Sequence, residues 1–179
     1  MSVYTGGLRM NINYSNEPIK SSLTAEHSVF LAGPTLRNEP FEKSWRKYTC
    51  DKLKELGYKG LIYVPEFETG TMKPDLTEQA GWERKGLTNA DIILFYIPRK
   101  IPELAGYTTN VEFGMWLSKK PDNCMLCIPE WAEKVNYLKW LWKQEVPEKP
   151  IYSNLDDALK AIIHEQANHK KRGKHYEQS

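Results

Sequence analysis

Apolar residues in this chain fall into short continuous runs, separated by longer stretches where they recur every three or four positions. The runs read as strands: Ser28–Ala32 (SVFLA), Leu61–Val64 (LIYV), Asp91–Ile97 (DIILFYI) and Cys124–Ile128, with Ile151–Tyr152 as a short fifth. Asp91–Ile97 is almost unbroken, as expected of a parallel strand covered on both faces, because neither face meets water. The periodic stretches read as helices. From Pro40 to Leu56, Trp45, Tyr48, Leu53 and Leu56 recur at helical spacing; proline stands near the start and Gly57 closes the element. Further helices are predicted over Leu76–Leu87, Thr109–Ser118, Lys134–Lys143 and Asn154–Asn168.

Strands alternating with helices of this length predict an α/β domain, a doubly wound parallel five-stranded sheet with helices on both faces. Right-handed crossovers restrict its topology. A strand order of 2-1-3-4-5 puts a crevice at the carboxyl ends of strands one and three, where the winding reverses. The loops there are Gly33–Asn38 and Pro98–Asn110. The domain covers 28–168. Residues 1–27 carry Gly6-Gly7 between short β-like runs and are expected to form a hairpin, or an arm on a neighbouring subunit. Residues 169–179 (HKKRGKHYEQS) form a basic polar tail, read as a mobile solvated end.

Composition narrows the function classes. The chain has 179 residues, 40% hydrophobic and 27% charged, with a formal net charge of +2. That charge is too small to imply a nucleic-acid or membrane surface. No apolar run could span a bilayer and no secretory signal is visible, so a cytoplasmic protein is expected. Cys124-x-x-Cys127 invites a redox or zinc reading. In a strand, however, residues three apart point to opposite faces, and no second ligand pair is present. No metal or organic cofactor is expected. Unpaired buried cysteines suit a reducing compartment.

Four pieces converge on the crevice. In FLAGPTLR, Gly33, Pro34 and Thr35 follow the first strand: Gly33 would admit a ligand to the backbone, and Arg37 could meet an anion. Trp82-Glu83 could stack on a base and hydrogen-bond its ring nitrogen; alternatively Trp82 is core and Glu83 a surface residue. Arg99, ending strand three, is a candidate phosphate contact or a solvated charge. The fourth piece is Tyr107-Thr108-Thr109-Asn110-Val111-Glu112-Phe113-Gly114. Thr109-x-x-Glu112 has the spacing of a capping box. Yet Glu112 also falls in the first helical turn at the switch point, where the positive helix end would keep a carboxylate ionised, as a carboxylate nucleophile requires.

Taken in order, FLAGPTLR, SWR (Ser44-Trp45-Arg46), WE, LTNADIILFYIPR and TTNVEFGMW resemble the nucleoside 2-deoxyribosyltransferase-like family, from Val29 to about Trp142. The resemblance implies a flavodoxin-like fold and a homo-oligomer whose active sites borrow from a neighbouring chain. It implies a covalent ribosyl-enzyme intermediate with Glu112 as nucleophile. It also implies that Glu83 contacts the base, and that the Gly33–Thr35 turn contacts base and sugar. Relatives acting on free nucleosides usually carry an acid just before the nucleophile helix. Here Gly106–Asn110 is uncharged, and Thr108, Thr109 and Asn110 are neutral donors suited to an anion, so a 5′-phosphate is favoured.

The expected activity is therefore cleavage or transfer of the N-glycosidic bond of a (deoxy)nucleoside or its 5′-monophosphate, a step of nucleotide metabolism. Glu112 attacks the anomeric carbon, and Glu83, its pKa raised beside Trp82, protonates the leaving base. A second base would make the enzyme a transferase, water a hydrolase. The alternatives are an NAD glycohydrolase using the same chemistry, a catalytically silent nucleotide sensor with Glu112 as a cap, or an interaction module, given six Trp and ten Tyr. No nucleic-acid partner is expected.

Overall fold

Among the described residues the chain forms six parallel strands and five α-helices. The computed structural model describes residues 9–22, 27–36, 39–69 and 75–176, with side chains to residue 168. The strands are β1 (Asn11–Tyr14), β2 (Ser28–Ala32), β3 (Leu61–Val64), β4 (Ile92–Tyr96), β5 (Cys124–Cys127) and β6 (Ile151–Tyr152). The helices are α1 (Trp45–Glu55), α2 (Leu76–Asn89), α3 (Tyr107–Lys119), α4 (Asn136–Glu145) and α5 (Leu155–Tyr176). The sheet order is β1-β3-β2-β4-β5-β6. The five strands expected from sequence lie in the expected order, and the fold is a doubly wound, flavodoxin-like α/β sheet.

The correction is at the N-terminus. Within the 1–27 segment, Asn11–Tyr14 is neither half of a hairpin nor an arm; it is a sixth, edge strand paired parallel with β3 over Leu61–Val64. A four-residue run with Asn at two positions carries no apolar signature, and only the unpaired edge of β3 makes it a strand. At the other end, the backbone of α5 runs on to Tyr176, through most of the expected mobile tail.

Alternation along the strands divides the core in two. Phe30, Tyr63, Ile93, Phe95 and Leu126 face α2, α3 and α4. Val29, Leu31, Ile62, Val64 and Leu94 face α1 and α5. Cys124 belongs to the first layer and Cys127 to the second, so they point to opposite faces as the strand periodicity requires. All three thiols are free and buried, and burial pushes each up to about 12. No helix among the described residues is long and apolar enough to cross a membrane.

This winding creates the crevice. From β2 the chain crosses by α1 to β3 on one side, and from β3 it returns by α2 to β4 on the other. The segments leaving β2 and β4, neighbours in register from Val29↔Ile92 to Ala32↔Phe95, therefore diverge above their carboxyl ends.

Candidate active site

A cavity of about 460 Å³ occupies that crevice. Gly33, Pro34 and Thr35 form one wall, the 102–109 segment a second, and Glu83 and Glu112 approach from α2 and α3. Its volume falls in the range of small-molecule sites.

Gly33 is required by sterics. Its φ is 153°, and a Cβ added there would lie 2.2 Å from the Tyr96 carbonyl oxygen and 2.9 Å from the Trp45 ring. The turn therefore rests directly on the end of β4. The Trp45 indole N–H donates to the Pro34 carbonyl at 2.9 Å, fixing the next residue.

Glu83 accepts a 2.8 Å hydrogen bond from Gln79, one turn earlier on α2; the same amide donates to the Pro65 carbonyl at 3.1 Å. Glu83 is thus anchored to the segment after β3. Its carboxyl meets that of Glu112 in a hydrogen bond. Burial pushes the Glu112 carboxyl up to about 8, helped by the Glu83 charge and by that hydrogen bond, while Arg46 pulls the other way. This corrects the sequence expectation twice. The α3 helix starts at Tyr107, two residues earlier than predicted, after Gly106 in the left-handed conformation (φ 62°). Glu112 is then the sixth helical residue, beyond the first turn, and no side chain caps the helix. The capping-box reading falls away, and so does ionisation by the helix end, which is confined to the first turn. The protonated form of Glu112 is therefore favoured, because two carboxyls in a partly buried pocket cannot both ionise cheaply.

Thr108 and Thr109 line the cavity at the uncapped start of α3. Three predicted residues do not take their expected places. Trp82 is 6% exposed in the core, packed against Phe30 and Tyr63, with its indole N–H donating to the Glu17 carbonyl at 3.0 Å. It is not among the residues lining this cavity, because neighbours on a helix diverge by about 100° and Glu83 takes the inward direction. Arg99 is buried, and its guanidinium donates to the carbonyls of Ala105 (2.7 Å) and Lys134 (2.9 Å) and to Asn110 Oδ1 (2.5 Å). Arg99 and Asn110 therefore brace the loop before α3, and neither lines the cavity. Arg37 lies outside the described residues.

Trp82→Phe tests the core placement. It removes the Glu17 hydrogen bond and some ring volume, so stability should fall by about 1–2 kcal/mol. Ligand affinity should stay within twofold. A folded variant with affinity reduced tenfold would return Trp82 to the pocket.

The sequence reading missed three residues. Arg46 is 1% exposed and lines the cavity floor. Glu66, 3% exposed, pairs with it at 2.5 Å. Glu103 places a third carboxyl in the lining. Arg46 stood in the quoted SWR series, but nothing in that series separates a surface arginine from a buried one. Glu103 lies just upstream of the uncharged Gly106–Asn110 stretch.

The family model described as "Nucleoside 2-deoxyribosyltransferase like" matches residues 26–131, which span β2 to the segment just after β5 and include Glu83, Glu112 and the Gly33 turn. No curated protein matches the chain.

Proposed function

Because this chain belongs to the nucleoside 2-deoxyribosyltransferase-like family, we propose that it cleaves or transfers the N-glycosidic bond of a nucleoside through a glycosyl ester on Glu112. The observation that carries this reading is the approach of the Glu83 and Glu112 carboxyls from two helices into one cavity at the switch point, where burial favours one proton on the pair. One proton is what the reaction consumes. It passes from Glu112 to Glu83 and on to the departing base nitrogen. Freed of it, a Glu112 oxygen bonds to the anomeric carbon, and the electron pair of the breaking C–N bond goes to the base. A second base or a water then attacks the same carbon and restores Glu112. The base faces Glu83, and the sugar lies over the Gly33–Thr35 turn.

Charge favours a free nucleoside over its 5′-monophosphate, reversing the expectation from sequence. Among the described residues, Glu83, Glu103 and Glu112 line the cavity with one cation, Arg46, which Glu66 matches. A phosphate would bring negative charge beside Glu103, where the Arg46 charge is already matched by Glu66. A sugar hydroxyl can instead donate to Glu103 while accepting from Thr108 or an α3 amide. With a deoxynucleoside and its 5′-monophosphate compared under identical conditions, the nucleoside should turn over at least tenfold faster. A faster monophosphate would restore the anion reading.

The shared proton also sets the pH dependence. Activity needs the pair singly protonated, so kcat/KM for a neutral base should fall above about pH 8, as that proton is lost. A pH–rate profile flat from 7 to 10 would show that the proton is not used.

The decisive test is incubation with a panel of nucleosides, deoxynucleotides and NAD, followed by chromatography for free base. Release from a nucleoside supports the reading, release from NAD alone makes the enzyme a glycohydrolase, and binding without release makes it a sensor. We further propose a cytoplasmic homo-oligomer. Tyr107 (74% exposed) and Val111 (66%) offer apolar surface on α3 beside the cavity, and light scattering after size exclusion should give a mass above that of one chain.

A further inference from the structure

Beneath the cavity floor lies a polar cluster with no role in the chemistry above. Ser44, the N-cap of α1, accepts the Arg46 backbone N–H at 3.1 Å and donates its hydroxyl to Glu66 Oε1 at 2.8 Å. The same Glu66 oxygen receives Arg46 Nη1 at 2.5 Å. The rest of the guanidinium is turned toward the turn after β2: Nε donates to the Leu31 carbonyl at 2.8 Å, Nη1 to Thr35 Oγ1 at 2.9 Å and Nη2 to the Gly33 carbonyl at 2.6 Å. The Trp45 ring lies 4.4 Å from the guanidinium carbon. Four of the five N–H groups of an arginine are thereby used. The fifth, on Nη2, has no protein partner among the described residues, and Arg46 lines the cavity.

Burying this pair is costly, and a hydrophobic pair of similar volume would often serve stability as well or better. Its geometry serves the site instead. We propose that Arg46, tethered by Glu66, is the positioning residue of this active site: it holds the Gly33–Thr35 turn opposite Glu112 and supplies a positive charge that balances the carboxyls of the cavity. The assignment deepens the glycosidic reading and rests on it for the catalytic consequence. A planar fork is needed because three acceptors at fixed directions must be met at once, which a lysine ammonium cannot do. The charge acts on Glu112, which among the described residues is faced by Glu83 from α2 and Arg46 from α1, with Glu66 behind Arg46 and Glu103 elsewhere in the same lining.

Two substitutions should move one quantity in opposite directions. Arg46→Met removes the cation, so the proton shared by Glu83 and Glu112 should be held more tightly. The alkaline limb of the kcat/KM profile should then rise by about one pH unit. Glu66→Gln keeps an acceptor for Arg46 but removes the compensating charge, so the limb should fall. Arg46→Lys keeps the charge and loses the fork: the limb should stay within about 0.3 pH unit, while kcat/KM drops roughly tenfold. A merely structural role predicts losses of stability without opposed shifts. The titration can also be read without turnover, from the carboxyl ¹³C resonance of Glu112 in glutamate-labelled protein, assigned with Glu112→Gln. If no substrate releases base, the glycosidic reading fails, yet the resonance still tests Arg46. Should Arg46→Met not fold, Glu66→Gln and Arg46→Lys decide. Shifts that are absent, or of the same sign in Arg46→Met and Glu66→Gln, overturn the proposal.

Discussion

Glu112→Gln should abolish turnover while leaving a protein that is, at alkaline pH, more stable than the wild type. The amide matches the carboxyl in size, and its NH2 can still donate a hydrogen bond across to Glu83. It cannot form a glycosyl ester, so kcat/KM should drop by roughly three orders of magnitude, equivalent to about 4 kcal/mol of transition-state stabilisation. The stability effect follows from the proton. Burial raises the carboxyl from its ordinary 4.5 to about 8 in the folded chain. Between those two values the unfolded chain sheds the proton and the folded chain keeps it. The stability contributed by the protonated group is therefore complete below about pH 4.5 and lost as pH rises through about 8. Gln never ionises and escapes that loss. The two proteins should melt alike at pH 4, and the variant should gain about 1–2 kcal/mol at pH 9, a figure reduced for the partial exposure of the pair. Wild-type protein quenched during turnover should carry a sugar adduct on Glu112 by mass spectrometry. A variant that still releases base at near the wild-type rate would remove Glu112 from the chemistry; one that gains nothing at pH 9 would remove the shared proton.

Gly33→Ala is the second large effect, and it arises from packing. The added methyl would lie 2.2 Å from the Tyr96 carbonyl oxygen and 2.9 Å from the Trp45 ring. Tyr96 ends the central strand β4, held between β2 and β5, so its backbone cannot give way. Trp45 cannot withdraw without losing its hydrogen bond to the Pro34 carbonyl. The turn itself must move, at a cost of about 3 kcal/mol from overpacking and unfavourable φ together. It would also leave the Arg46 guanidinium and shift away from Glu112. Both thermal stability and kcat/KM should fall, the latter 100-fold or more. Gly114→Ala is the control: a Cβ there meets nothing within 4 Å, and alanine favours a helix interior, so the melting temperature should hold or rise slightly. A Gly33→Ala protein that melts with the wild type would contradict the contact with Tyr96.

The sequence by itself determined the sheet, its order and the position of the crevice. Those follow from local and repeating signals: unbroken apolar runs such as IILFY, helical spacing between them, and the single handedness of crossovers. It also sufficed to bring Glu83, Glu112 and the Gly33 turn to one candidate site, through the ordered motifs that also mark the family. What the tertiary structure decided were quantities that depend on neighbours distant in the chain. Trp82 and Glu83 are adjacent in sequence, and only the packing of α2 against Phe30 and Tyr63 fixes which of them faces the cavity. Arg99 reads as a loop charge until its guanidinium is found bracing the loop before α3. Asn11–Tyr14 becomes a strand because β3 offers it an edge. The start of α3 shifts two residues because Gly106 adopts the left-handed conformation packed against Pro34, a contact between loops 72 positions apart. The protonation of Glu112 is the clearest case. The charge of a carboxyl is set by burial, by a second carboxyl from another helix and by Arg46 from a third, and none of these distances is written in the residues beside it.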